Sequence, residues 1–530
     1  MQSGHDGIFA HPWRFDARAG PRSMDDAACH GHGRGGSSRH MGQAAMLIRW
    51  DDMTDSSVFD VAIAGAGPAG ITLALELAKR GARCLLVEAG GFEPSDAAGL
   101  DPYRGQSAPR PYPLETSRLR YFGGTSGHWG GWCRPLDEID FEAVDGVRRT
   151  GWPVARSDVY KYISDAYRWL EIGRPEFDGP AVSQELQKVS IELPEKSGFY
   201  PLTFRFSPPT RFGEVYREHI RRSIEVSCLL NTDLIKVERG QNGRSTWLLQ
   251  HRDGRRRRLS ARFHVLAMGG IENARTLLWS NQSIENPFAM EGDWIGRCFA
   301  DHFGITLGQL LASPDLNYNR RETAAGGIMA RHAPTPEVLR ASLAPSHMIA
   351  LHPVTEDSFL QHDYGLNAVF FGPNPSRLKL FSVRVVAGQT PNRESRLSLV
   401  DDVDANGVPR VRLDWRVESE DFDLLMQSAE RFGQHVAAAG LGRFRKTVHQ
   451  APAIDESLAA GMHHMGTTRM ADRSGQGVVD GDCRVFGSDD LYVLGSSVFP
   501  AYGYANPTLT IVALSVRAAE HIAGRLRTVS

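Results

Sequence analysis

Residues able to do chemistry gather near both ends of the chain. The stretch Phe59 to Ala89, FDVAIAGAGPAGITLALELAKRGARCLLVEA, spaces Gly65, Gly67 and Gly70 ahead of an alanine- and leucine-rich run and ends on Glu88. That spacing suits a dinucleotide. Gly65 makes the tight turn, Gly67 lets backbone approach a pyrophosphate, and Gly70 lets the following helix pack on the strand. Glu88, at the tip of the second strand, is placed for the hydroxyls of an adenosine ribose. A second stretch, RLRYFGGTSGHWGGW from Arg118 to Trp132, sets Gly124 and Gly130 among further glycines around Thr125, Ser126, His128 and Trp129. Such density lets backbone N–H groups lie flat against a planar ligand. A third, GMHHMGTTRM at 461–470, carries His463 and His464. A neutral imidazole near pH 7 can take a hydroxyl proton. In extended backbone two adjacent rings point to opposite faces, so one can be the base and the other a packed, hydrogen-bonded residue. Farther on, a strand at Leu491 to Leu494 delivers Gly495 and Ser496 at its C-terminal edge, and Pro507 with Thr508 opens a long helix. Asn506 either caps that helix or holds a substrate oxygen.

The elements that must position these residues read as α/β. Strand, glycine turn, helix and strand between Phe59 and Val87 form a βαβ unit, and VLAMGGIENARTLLW at 265–279 repeats strand, turn and helix. Between them, Val226 to Ala267 reads as a β-meander with the runs LIKVER, WLLQHR and FHVLA. Its four arginines, Arg255 to Arg258, suit a charged hairpin edge. Apolar spacing predicts helices over 158–172 and 420–439, strands over 378–386 and 396–400, and a DANG turn at 404–407. Asp301 and His302 either make a local turn bond or face the active site. The expected domains are a tail over 1–57, a discontinuous dinucleotide domain over 58–145, 196–296 and 455–530, and a sheet-based substrate domain over 146–195 and 297–454.

Composition excludes several classes of function. Lys+Arg 60 against Asp+Glu 62 over 530 residues gives a net charge of −2, which offers no field to recruit nucleic acid or an anionic membrane. The 6 cysteines form no CxxC pair, so neither a zinc site nor a disulfide framework is expected, and a reduced cytoplasmic setting is. No apolar run is long enough to cross a membrane, and the start lacks a secretory pattern. Residues 1–57 have no apolar periodicity, and their histidines (His5, His11, His30, His32, His40) read as a solvated tail rather than a metal site. Met46 is an alternative start, with MLIRWDDM as a short strand leading into the βαβ unit.

Together the fingerprint at Gly65 to Gly70 with Glu88, the GGTSGHWGG loop, the GIENAR turn, and the HHMGTTRM and NPT segments resemble the glucose-methanol-choline (GMC) family of flavin oxidoreductases, in its pyranose oxidase-like branch. The resemblance spans about residue 58 to the end and is loosest over 300–450. It implies a Rossmann-like FAD-binding domain with a sheet-based substrate-binding domain, and oxidation of a sugar or polyol hydroxyl by hydride transfer to flavin N5. By motif it places the catalytic pair on His463 and Asn506. It implies FAD held by Gly65, Gly67, Gly70, Glu88, Gly124, Thr125, Ser126, His128, Trp129, Gly130, Gly495, Ser496, Pro507 and Thr508. In that branch the His before the Trp is bonded covalently to the flavin, which makes His128 the matching residue, although Gly130 stands where the branch has Thr. The helix opened by Pro507 would lend positive partial charge to the flavin's pyrimidine end. The family also includes cyanohydrin-cleaving lyases with an idle flavin, so a non-redox lyase is the rival reading. Oxygen or another compound would take the electrons. Oligomeric state is left open.

Overall fold

The computed structural model describes residues 47–53, 59–144, 148, 150–173, 175–187, 189–240, 243–282, 288, 291–313, 315–323, 326–354, 379–448 and 458–528. Most of the expected tail, with its histidines and Met46, lies outside these residues.

Five short parallel strands form the central sheet, in the order Leu491–Val493, Phe263–Leu266, Val61–Ala64, Cys84–Val87, Val226–Leu229. VAIA and CLLV are apolar at every position, and FHVL at all but the buried His264, because both faces are covered, as parallel sheets require. The helix Pro68–Ala78 follows the first strand and packs against the C-terminal helix Thr508–Thr528. Gly65 has φ +101°, and a Cβ there would meet the Ala267 carbonyl at the second strand-to-helix turn; a Cβ at Gly70 would collide with the Gly65 carbonyl. Both glycines are therefore fixed by contact inside the protein. Gly67 faces open space.

The larger sheet is antiparallel and runs Gly442–Lys446, Phe303–Ala312, Lys379–Ala387, His347–Pro353, Gly326–Pro334, Phe199–Phe206, Trp132–Cys133. One face is covered by the helix Ser419–Ala438, through Phe303 on Phe422 and Phe199 and His332 on Phe432. The opposite face meets the glycine-loop and C-terminal segments: Phe204 lies against Tyr504 and Trp132, and Phe206 against Trp132. Two sheets thus confront each other across the segments that carry the site.

Several boundaries differ from the sequence reading. Phe199–Phe206 and Trp132–Cys133, expected in the dinucleotide domain, belong to the larger sheet; the apolar alternation of FYPLTFRF packs one side on the helix and the other on the site segments. The helix expected over 158–172 is two helices, Arg156–Tyr160 and Ile163–Trp169, and both pack on the C-terminal helix. Trp169 donates its indole N–H to Glu76, and Tyr160 bonds Thr510, tying this segment to the dinucleotide unit. FHVLA is a central parallel strand, whereas the meander consists of Thr232–Arg239, Ser245–His251 and Arg256–Leu259. The tail also ends earlier than 57. Leu47 bridges Cys228, and Trp50 is buried between the His251 ring, stacked at 5.5 Å, and Arg257. Trp50 anchors WDDM, which forms a 3-10 turn over Trp50–Asp52 rather than a strand.

The two kinds of glycine separate in mutation. Gly65→Ala should destabilise the fold by more than about 1 kcal/mol, because φ and space both forbid a side chain. Gly67→Ala should leave melting of the apoprotein unchanged and weaken only dinucleotide retention. Thermal melts of the flavin-stripped proteins beside flavin content check both.

Candidate active site

The end of the larger sheet is stitched to the 461–466 segment by short backbone bonds. Gly461 N–H donates to the His302 carbonyl at 2.7 Å, Ala300 and Met465 form a bridge, and Phe303 pairs with Ala460. Asp301 is fully buried and accepts from the N–H groups of Met462 at 2.9 Å and His463 at 2.7 Å and from the Tyr112 hydroxyl at 2.7 Å. Burial raises the Asp301 carboxyl to about 6, against the pull of these donors. Met462 sits at φ +61°, a left-handed conformation costly for a long side chain, and Asp301 holds it there.

His463 presents its ring between two partners. Its Nδ1 lies 2.9 Å from Nδ1 of His302, and its Nε2 lies 3.2 Å from the Asn506 side-chain nitrogen. His302 Nε2 approaches the Tyr502 carbonyl at 3.4 Å. A carbonyl only accepts, so His302 carries its proton on Nε2 and leaves Nδ1 as an acceptor. His463 must then donate from Nδ1, and the lone pair of its Nε2 points to Asn506. That is the nitrogen a substrate hydroxyl would meet. Burial pushes His302 down to about 4; burial and the neighbouring His302 hold His463 well below the usual imidazole range. Both rings are therefore neutral near pH 7.

His464 turns the other way. Its ring packs between Tyr112 at 5.7 Å and Phe299 at 6.1 Å, burial pushes it down to about 3, and its Nε2 has no hydrogen-bond partner among the described residues. Its carbonyl accepts from the Ser496 hydroxyl at 2.7 Å, so that side chain, expected at the cofactor, secures the histidine segment. The GIENAR turn does likewise: Gly270 lies so close to His464 that a Cβ would collide with it, and Asn273 bonds the Leu494 carbonyl and Ser497 at 3.0 Å each. Asn506 spends its amide on His463 rather than on a helix cap, and buried Pro507 follows, with its carbonyl accepting the Ile511 N–H at 2.9 Å. Half-buried Thr508 begins the helix.

The residues expected at the dinucleotide form one surface. Gly124 packs on Gly67, so the fingerprint and the GGTSGHWGG loop touch. Glu88 accepts from Ala66 N–H at 2.9 Å and Gly90 N–H at 2.8 Å, one bond per oxygen, which leaves lone pairs for ribose hydroxyls. Gly67, Gly269 and Gly495 all have open space where a Cβ would point, a backbone-lined cradle of the kind a dinucleotide needs. The loop is held from behind by residues that sequence reading passed over. Arg211 donates to the Ser126 and Trp129 carbonyls, the Thr210 carbonyl accepts the Trp129 indole N–H, and the Phe212 N–H donates to Ser126. Thr125 accepts from Leu119 N–H through its hydroxyl. Gly130 is half-buried beside Trp129. These residues fit FAD: an open glycine cradle, an acid at the ribose end, and a neutral base at the far end.

Two stretches match known family models. Residues 391–515 match the GMC oxidoreductase C-terminal model and residues 58–92 the FAD binding domain model. Over these stretches the chain is similar to the GMC oxidoreductases. It is 26% identical to paromamine 6'-oxidase of Streptomyces fradiae, covering 90% of this chain and 93% of that protein. It is also 26% identical to a C-glycoside 3-oxidase of Arthrobacter globiformis, covering 76% and 74%. Among solved structures, formate oxidase shares the fold, with a TM-score of 0.57 at 15% identity over 90% of this chain and 100% of that one. The chain is a flavin-dependent enzyme acting on alcohol CH–OH groups.

His302, which the sequence left between a turn bond and the site, is a positioning residue that acts through His463. His302→Phe should lower the rate of substrate-dependent flavin reduction about 10-fold or more, with half-saturation little changed, because the tautomer of His463 is no longer dictated. In the parent protein the rate should stay level as pH falls through 6.5, the ordinary imidazole value, and drop only well below it. An acid limb centred at 6.5 would show that His463 is not a buried neutral base.

Proposed function

We propose that this enzyme oxidises a hydroxyl of a sugar or polyol to a carbonyl. The observation that carries the reading is the His463–Asn506 pair, 3.2 Å apart, in which the lone pair of a neutral imidazole faces the Asn506 amide beside the C-terminal helix, where a carbinol oxygen would engage both. His463 Nε2 takes the hydroxyl proton, and the Asn506 amide donates to the same oxygen and fixes the carbinol. His302 holds the ring and Asp301 its backbone. Bound FAD would supply the acceptor for the hydride, at the cradle of Gly65, Gly67, Gly70, Glu88 and the 123–130 loop. The helix following Pro507 points its positive end at the same region, which favours negative charge there. The named oxidases among the relatives support a sugar hydroxyl as donor and oxygen as electron acceptor. They give the cyanohydrin-lyase reading no support.

The cytoplasm is the proposed compartment, on the observation that the 5 described cysteines are free and buried. No helix among the described residues is long and apolar enough to cross a membrane.

His128 is proposed as the site of a covalent bond to the flavin's methyl edge. Its half-buried ring makes no hydrogen bond among the described residues, and burial with the nearby Arg211 lowers its pKa, which keeps the imidazole neutral and nucleophilic. Such a bond would tether FAD and raise its potential.

His463→Ala should slow alcohol-dependent flavin reduction by roughly 10²–10⁴-fold while FAD stays bound. Asn506→Asp should also lose activity, by placing a carboxylate beside developing alkoxide charge. An anaerobic screen of sugars and polyols for flavin bleaching measures both, and a parent protein that no alcohol bleaches would overturn the redox reading. For His128, acid precipitation of the purified protein should leave yellow colour in the pellet, lost in His128→Ala; flavin released wholly to the supernatant refutes the linkage.

A further inference from the structure

The face of the larger sheet that looks toward the site carries two arginines in one cross-strand row. Arg384 pairs in register with Ala350 on one side and Thr306 on the other. The single bridge of His332 to Ile349 puts Arg331 on the far side of Ala350, and Arg331 pairs onward with Leu202. Their Cα atoms are thus two strand spacings apart, about 10 Å. The adjacent row is Gly304, Val386, Met348, Ala333 and Tyr200, on the same face. The Arg384 guanidinium lies over Gly304, filling the place where a Cβ would stand. Gly304 follows His302 by two residues, roughly 7 Å along an extended chain. The guanidinium is therefore about one hexose unit from the imidazole pair.

Neither arginine has a carboxylate partner among the described residues. Arg384 makes no ion pair or hydrogen bond among the described residues, and its Nε is buried and unsatisfied there. Arg331 donates only to the Tyr318 and Ala330 carbonyls, lies 5.5 Å over the Trp132 ring, and also has an unsatisfied Nε. The acids nearby are committed elsewhere: Glu322, beside Gly327 on this face, is paired with Arg320, and Asp137 is held by Arg134 and the Tyr504 hydroxyl. Burial lowers Arg331 to about 10 and lowers Arg384 as well; it also pushes His352, on the next row, down to about 4, with both arginines adding to the shift. Two cations in one half-buried row, without a counter-charge, are costly unless an anion completes them.

We propose that Arg384, with Arg331 behind it, forms an anion subsite, and that the hydroxyl donor is a sugar acid or sugar phosphate whose carboxylate or phosphate rests there while the carbinol meets His463. The specificity part rests on the redox reading above. The planar guanidinium suits either anion through paired N–H donors.

The test uses the holoprotein under anaerobic conditions, with glucuronate, glucose 6-phosphate, glucose and glucosamine as flavin-bleaching donors. One anionic donor, carboxylate or phosphate, should bleach the flavin at lower concentration than neutral glucose, and cationic glucosamine should be poorest. Arg384→Met should raise the half-saturating concentration of that donor about 10²-fold, with the limiting rate and the response to glucose little changed; Arg384→Lys should recover part of the loss. Equal use of neutral and anionic donors, or an Arg384→Met variant of normal flavin content with unmoved half-saturation, would overturn the proposal. Succinate and inorganic phosphate, which cannot be oxidised here, give a separate readout through perturbation of the bound flavin's absorbance. If one of them perturbs the parent saturably but not Arg384→Met, while no alcohol bleaches, the redox reading falls and the subsite stands. Bleaching by alcohols with neither anion perturbing the spectrum refutes the subsite alone.

Discussion

One buried carboxylate joins the end of the larger sheet to the histidine segment at the point where chemistry would occur. Asp301 ends the approach to the strand Phe303–Ala312 and accepts the N–H groups of Met462 and His463 together with the Tyr112 hydroxyl. A carboxylate there without donors would be untenable, and the two N–H groups without it would be stranded in a left-handed turn. Each side is therefore the condition of the other. Because His302 is the next residue, the same bond that sets the His463 backbone also sets the ring behind it. Asp301 needs no contact with a substrate to decide where the imidazole points.

From that centre the constraint passes outward through close backbone approaches. Gly270 allows the second strand-turn-helix to touch the His464 carbonyl, Ser496 donates to that carbonyl from the other side, and Gly466 bonds the Ser496 backbone at 3.1 Å. The cradle for the dinucleotide and the segment carrying the base are thus one packed assembly. Gly388 at the end of Lys379–Ala387 makes a similar approach to Gly503, which brings the larger sheet against the chain leading to Asn506. A shift of any of these backbones by the size of a methyl group would move His463 relative to Asn506, and proton transfer tolerates little such movement.

What the sequence made legible follows from how local each signal is. The βαβ unit, Gly65 and Gly70 could be read because strand, turn and helix are contiguous and each glycine answers a near neighbour. The His463–Asn506 pairing was legible through resemblance, since 43 residues separate the two and no periodicity links them. His302 was left undecided because its meaning depends on a partner 161 residues away. Arg211 and Thr210, which brace the glycine loop, lie in a stretch with no motif, and their bonds go to backbone carbonyls, which leave no mark on residue type. The strand Phe199–Phe206 lies in a segment expected in the dinucleotide domain, yet it joins the larger sheet, for a related reason. Alternation reports that a strand has two faces and says nothing of which sheet it joins.

The charge balance around His463 limits how its proton can move. Burial and two neighbouring imidazoles disfavour the protonated ring, and no carboxylate is among the groups that shift it. Asp301, though close, spends its oxygens on backbone N–H groups and Tyr112. Passing the proton to His302 gains nothing, since that ring is buried too and its other nitrogen already faces the Tyr502 carbonyl. A base in this setting holds a proton only while negative charge is created beside it. FAD bound in the neighbouring cradle would supply a place for such charge, and the helix following Pro507 favours it there. If His463 is the base, as proposed, its proton would be tolerable only while negative charge appears beside it, and burial keeps the resting imidazole neutral until then.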